Sequence, residues 1–115
     1  MPTDCLFCRI IAGQIPATIV YRDKAVIAIR DIAPKAPTHI LVMPIQHLDS
    51  LAEVQPAEAG LVGAILLAAA HIARQEGVAE RGYRVSLNTR EEGGQTVGHL
   101  HAHLLGGRRM SGDMG

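Results

Sequence analysis

The sequence predicts an α+β domain: a five-stranded, mainly antiparallel sheet carrying one long helix and one short N-terminal helix. Three observations predict it. Near the C-terminus, His99, His101 and His103 recur at every second position with Leu100, Ala102 and Leu104 between them, the period of a strand. In mid-chain, Pro56 to Glu76 places apolar residues at helical spacing. Elsewhere, short β-branched and apolar runs are joined by tight polar turns.

Cys5 to Ala12 reads as a short helix stopped by Gly13, with Leu6, Ile10 and Phe7 toward one side. Cys5 and Cys8 stand at C-x2-C spacing, which leaves three readings open. A redox pair needs a preceding strand, which the chain start does not supply. Two small structural residues are a second reading. A zinc half-site fits the spacing but needs two more ligands from elsewhere. Thr18 to Arg22 and Ala25 to Arg30 then form a hairpin around Asp23-Lys24. Asp31 ends the second strand, where a carboxylate commonly makes a turn. Pro34 and Pro37 stiffen the connection to a third strand, Thr38 to Met43, which carries His39.

After Pro44 the chain leaves the sheet through Gln46-His47-Leu48. The long helix follows, with Pro56 and Glu58 in its first turn and Gly77 as its stop. Leu61, Ile65, Ala68 and Ile72 form one apolar stripe; Val62, Leu66, Ala69 and Ala70 continue it round a second side. So wide a sector exceeds what one sheet face covers, so a second copy of the chain is expected against it. Tyr83 to Asn88 alternates as a strand. Thr89 to Thr96 is a loop whose Gly93-Gly94 pair can bring backbone N–H groups close to a phosphate.

A chain of 115 residues fits a single domain, 1–115. Eleven basic residues balance eleven acidic ones for a formal net charge of +0. That balance offers no footprint for polymeric nucleic acid, so a phosphate-bearing ligand has to be small. With aromatics at only 3%, the core is aliphatic and a base pocket must lean on Ile and Leu. Two cysteines without a secretory apolar segment point to a reducing, cytoplasmic setting. The longest apolar run, Ala59 to Ala70, falls short of the ~20 residues of a membrane span, so no membrane partner is expected.

The histidine row carries the chemistry. A helix would turn His99 and His101 about 200° apart, whereas a strand sets all three imidazoles on one face. That face is expected to look to solvent, with the leucines and the alanine in the core. His99 and His103 then lie about 13 Å apart, too far for one ion with bonds near 2 Å. Separate roles for separate histidines follow, with His101 in the middle presented as nucleophile or base.

The same run, His99-Leu100-His101-Ala102-His103-Leu104-Leu105, resembles the signature of the histidine-triad (HIT) family, His-φ-His-φ-His-φ-φ with φ apolar. Ile15-Pro16-Ala17, Arg30-Asp31-Ile32-Ala33-Pro34, Ala36-Pro37-Thr38-His39 and Gly93-Gly94-Gln95-Thr96 resemble its nucleotide-binding branch, in the family's order from about Cys5 to Arg108.

The resemblance implies hydrolysis of a purine nucleoside phosphoramidate or aminoacyl-adenylate. His101 would attack the α-phosphorus to form a nucleotidyl-histidine that water cleaves. His39 would stand beside the active histidine as its proton partner, and His103 would stabilise charge on the phosphate oxygens. Asp31 would accept from ribose hydroxyls; Asn88, Gly94, Gln95 and Thr96 would cradle the phosphate. Ile32, Val97, Leu6, Phe7 and Ile10 would complete the substrate site. His47 and His99 would join Cys5 and Cys8 around a structural zinc, and two copies would form a homodimer with a continuous sheet. The sequence departs from the family's habit at Thr96, where many relatives carry Ser, at Gly98, where a bulky residue is usual, and in a C-terminal tail without an aromatic residue. Alternatives within reach of the motifs are a dinucleoside polyphosphate hydrolase, or a nucleotide- and zinc-binding adaptor with vestigial catalysis.

Overall fold

The computed structural model describes residues 4–113. Helix α1 is Leu6–Ile11, and strands β1, β2 and β3 are Ile19–Arg22, Val26–Arg30 and Thr38–Pro44. Two 3-10 turns, Leu51–Glu53 and Pro56–Glu58, lead into helix α2, Ala59–Gln75, and strands β4, Tyr83–Ser86, and β5, Ala102–Gly106, complete the fold. The five strands make one sheet in the order β1-β2-β3-β5-β4 with every neighbouring pair antiparallel, as the sequence predicts.

Each boundary has a local cause. Asp23 closes the first hairpin by accepting from the backbone N–H groups of Ala25 and Val26, both at 2.8 Å. Glu58 accepts from the Gln55 backbone N–H at 2.9 Å before α2, and Gly77 ends that helix at φ 76°, a left-handed conformation suited to glycine.

The sheet is covered on both faces, so β2 is buried up to Arg30 and β3 along its whole length. Against α2 lie Val26, Ala28, Ile40, Val42, Leu100, Ala102 and Leu104, packed on Ile65, Ala68, Ala69, Ile72 and Ala73. Against α1 lie Ile27, Ile29, Leu41 and Met43, packed on Phe7, Ile10 and Ile11. His39 shares this second face, alternating with Ile40 along β3.

Several expectations need correction. Phe7, Ile10 and Ile11 form the buried side of α1 at i, i+3 and i+4, while Leu6 is turned out at 45% exposure. The imidazole face does not look to solvent: His99 and His101 are 0% and 3% exposed, because α1 and the segment after β3 cover it. Nor does the strand begin at His99; the ladder starts at Ala102. On α2, Ala69 is buried in the core of this one chain, whereas Leu66 and Leu67 are 44% and 73% exposed. By length and composition alone Pro56–Gln75 is apolar enough to cross a membrane, since the apolar positions continue past Ala70 through Ile72 and Ala73. In this fold those positions serve the core beneath the sheet.

Candidate active site

The histidines divide into two groups on the α1 face of the sheet. His99 faces Cys5, Cys8 and His47, whose ligand atoms all lie within 4.8 Å of one another. His103, in β5, faces His39, in β3, with Nδ1 of the former 3.0 Å from Nε2 of the latter. His101 lies between the groups, its ring centroid 4.9 Å from that of His103. One short peptide thus serves two sites.

Backbone partners fix which nitrogen of each ring carries a proton, because a carbonyl only accepts and an N–H only donates. Nδ1 of His101 lies 2.7 Å from the His99 carbonyl oxygen, so it holds the proton and leaves Nε2 with a free lone pair. The Lys35 N–H donates to Nδ1 of His39 at 3.0 Å, which puts the His39 proton on Nε2, aimed at Nδ1 of His103. His103 then accepts at Nδ1 and carries its own proton on Nε2. The pair therefore offers an unprotonated Nε2 on His101 beside a donor Nε2–H on His103.

Electrostatics keeps these rings neutral. Burial pushes the pKa of His101 below the usual imidazole range, against the pull of the His99 carbonyl and Asp31. Burial, reinforced by the neighbouring His101 and His39, takes His103 down to about 4. Burial also lowers His39, with Asp31 pulling the other way. Asp31 stands 3.5 Å from Nε2 of His39 and also accepts from the Ala33 N–H at 2.8 Å. The turn-forming role expected of Asp31 is observed, and its carboxylate also stands beside His39.

In the second group, tetrahedral bonds of about 2.3 Å to sulfur and about 2.0 Å to nitrogen would space neighbouring S and N ligands about 3.5 Å apart. The observed separations are 3.2 Å for Cys8 Sγ to His47 Nδ1, 3.4 Å for Cys5 Sγ to His99 Nδ1 and 3.6 Å for Cys8 Sγ to His99 Nδ1. Both histidines turn a lone pair inward, since Nε2 of His99 donates to the Pro44 carbonyl at 2.8 Å and Nε2 of His47 to Asp49 at 2.7 Å. The four residues therefore fit a tetrahedral metal. Burial and Cys5 push the Cys8 thiol up to about 11, so binding a cation there displaces protons.

The remaining expected site residues are placed as follows. Phe7 and Ile10 are buried, and the Phe7 ring meets the edges of His101 and His99 at 5.1 and 5.8 Å. Leu6, Thr96 and Val97 line a groove of about 560 Å³ together with Cys5, His47 and Asp49. Asn88 donates to the Gly93 carbonyl at 2.6 Å, while Gln95 accepts from the Arg90 N–H and donates to the Asp49 and Val97 carbonyls. These two amides shape the loop. Gly93 allows its tight path, since a Cβ there would run into the Thr89 carbonyl, and Gly94 sits at φ 79°. Ile32, next to Asp31, is 99% exposed. Asp49, Pro44 and Lys35 were missed from the sequence. A carboxylate two residues after His47 was a readable signal for the first; the other two act through their backbone and leave none.

The sequence profile of the HIT domain matches residues 12–110. This chain belongs to the HIT family. The HIT chain is 47% identical over 110 residues to the purine nucleoside phosphoramidase of Escherichia coli K12, covering 96% of this chain and 92% of that one. It is 46% identical over 108 residues to the 14 kDa zinc-binding protein of Zea mays, covering 92% and 84% respectively. Among solved structures, the HIT family hydrolase of Legionella pneumophila Philadelphia 1 superposes with a TM-score of 0.95 at 46% identity, over 97% of this HIT chain and all of that one.

Proposed function

We propose that this chain, a single HIT domain over 1–115, hydrolyses purine nucleoside phosphoramidates or aminoacyl-adenylates. The observation that carries the reading is the hydrogen bond from His101 Nδ1 to the His99 carbonyl, which leaves Nε2 as a neutral nucleophile. Nε2 attacks the α-phosphorus, and the bond from phosphorus to the leaving nitrogen or acyl oxygen breaks. A nucleotidyl-His101 forms and the leaving group departs, the nitrogen taking a proton from solvent to leave as an amine or the acyl group leaving as a carboxylate. Water then attacks the same phosphorus, releasing a nucleoside monophosphate and restoring His101. Nε2–H of His103, aligned by His39, donates to the phosphate oxygens as charge grows on them. Thr96 and Asn88 support the phosphate from the loop, and Asp31 takes the ribose. The likeness to a purine nucleoside phosphoramidase supports the substrate class.

Cys5, Cys8, His47 and His99 hold a structural zinc in this reading, supported by their mutual spacing and by the likeness to a zinc-binding protein. Neither cysteine is in a disulfide, which suits a reducing, cytoplasmic setting. The chain works as a homodimer through the outer side of α2, where Leu66 and Leu67 are exposed. The deciding experiment is a quench during turnover of adenosine phosphoramidate. A nucleotide trapped on His101 is expected; turnover with no label on any histidine would overturn the covalent route.

A further inference from the structure

Opposite the sheet end where Pro44 holds His99, a cavity of about 370 Å³ opens beside the end of β5. Arg81, Arg108 and Arg109 line it with Val78 and three glycines, and among the described residues no acidic side chain does. No residue of the proposed catalytic and zinc sites lines it either.

Close backbone packing builds this cavity. β5 ends against the turn that follows α2: a Cβ on Gly106 would stand 2.9 Å from Cβ of Val78, and one on Gly107 2.8 Å from Cβ of Pro37. A larger residue at either position would push the Arg108–Arg109 segment away from the turn that carries Arg81. That segment is also pinned on both sides. Arg108 donates to the Lys35 carbonyl at 2.8 Å and to the Arg109 carbonyl at 3.0 Å, and Arg84 of β4 donates to the Ser111 carbonyl.

The charge on these walls is unbalanced. The ion pairs among the described residues are Arg30–Glu76, Arg90–Glu53 and two histidine–aspartate contacts, so none of the three arginines has a carboxylate there. The C-terminal end of α2 brings only about half a negative charge, and its last carbonyls already accept from Glu76, Gly77 and Val78. A chain of zero formal net charge thus places three guanidinium groups around one space, within the range of about 300–1,000 Å³ that small ligands occupy.

We propose that this cavity is an anion site for a pyrophosphate group, free or carried as the diphosphate of a small molecule. A lone phosphate group carries about 1.5–2 negative charges near pH 7, short of the three guanidinium charges, and two linked phosphates match them more closely. The planar fork of each guanidinium presents paired donors to phosphate oxygens. Because the three arginines are exposed, the binding weakens as salt rises.

The test titrates full-length, 15N-labelled protein with inorganic pyrophosphate, ADP and sulfate, at an ionic strength held constant with chloride. The amide resonances of Gly82 and Gly107 report this cavity, and that of Gly94 reports the loop of the proposed active site. Pyrophosphate is expected to move Gly82 and Gly107 saturably and to bind at least about tenfold more tightly than sulfate. Movement of the same two glycines by ADP assigns a carried diphosphate; movement by pyrophosphate alone assigns the free anion. Arg81→Gln and Arg109→Gln should each weaken pyrophosphate binding about tenfold, the loss expected for a hydrogen bond between charged groups. Pyrophosphate that moves only Gly94 overturns the site, as does unchanged affinity in both variants. An equal response to sulfate means an adventitious ion only and overturns it too. A ribo-oligonucleotide that binds these glycines more tightly than pyrophosphate would overturn the small-ligand assignment.

Discussion

His39 makes two separable hydrogen bonds, and two substitutions can take them apart. Its Nδ1 accepts the Lys35 N–H, and its Nε2–H donates to His103 Nδ1, both at 3.0 Å. In His39→Asn the side-chain amide reaches about as far as Nδ1, so the Lys35 N–H keeps an acceptor while His103 loses its donor. In His39→Gln the longer amide reaches the Nε2 position and can donate to His103, but the Lys35 N–H is left without a partner. An orphaned, partly buried N–H costs about 1–3 kcal/mol, so His39→Gln should be the less stable of the two. Loss of one aligned donor at a reacting phosphate costs about 10²-fold or more in kcat. His39→Asn should therefore be the slower enzyme, with His39→Gln within about tenfold of the wild type. Thermal denaturation and turnover of adenosine phosphoramidate measure the two effects independently. Equal loss of kcat in both variants would refute the relay and leave His39 as packing alone.

Three further outcomes follow from the same geometry. His101→Gly should fold and bind AMP but lose on the order of 10³-fold or more in turnover; more than a tenth of the wild-type rate would remove His101 from the nucleophile role. Leu66→Glu should give monomers or aggregates by sedimentation, since a carboxylate buried in an interface costs several kcal/mol; a wild-type monomer at micromolar concentration would refute the dimer. For pH dependence, burial lowers the pKa of His39 and takes His103 to about 4, whereas the unfolded chain protonates these residues near pH 6.5. The unfolded state then binds more protons below that pH, so stability is full above about pH 6.5 and falls as pH drops toward 4. A denaturation midpoint that stays flat from about pH 6.5 to 5 would contradict that sign.

The sheet was readable because its residues obey simple periods. One stripe on α2, through Ile65, Ala68 and Ile72, and a hairpin at Asp23-Lys24 require only side-chain patterning and turn chemistry, and both are observed. The assignment of α1 was less readable. In a helix of six residues, Leu6–Ile11, one apolar position more or less decides the face, and Leu6 and Phe7 compete for it. The sheet's Ile27, Ile29, Leu41 and Met43, which no local pattern ties to α1, settle the contest for Phe7. The pairing of His99 with Pro44 depends on where a loop returns, and residue spacing does not carry that information.

The histidine row shows most clearly what a period of two does and does not report. Leu100 packs in the same core as Ala102 and Leu104, while His99, His101 and His103 lie on the opposite face, so the alternation is faithful to side-chain direction. It says nothing about hydrogen bonding. The Leu100 N–H goes to Leu48 and the His99 N–H to Val97, not to β3, and the ladder waits until Ala102. The His99 carbonyl is left free of the β3 ladder and accepts a hydrogen bond from His101 Nδ1–H. Had the ladder run on to His99 with that carbonyl paired to β3, it would have had less freedom to hold the imidazole. The point at which sequence periodicity and sheet pairing part company is thus the point at which His101, the proposed nucleophile, acquires its tautomer.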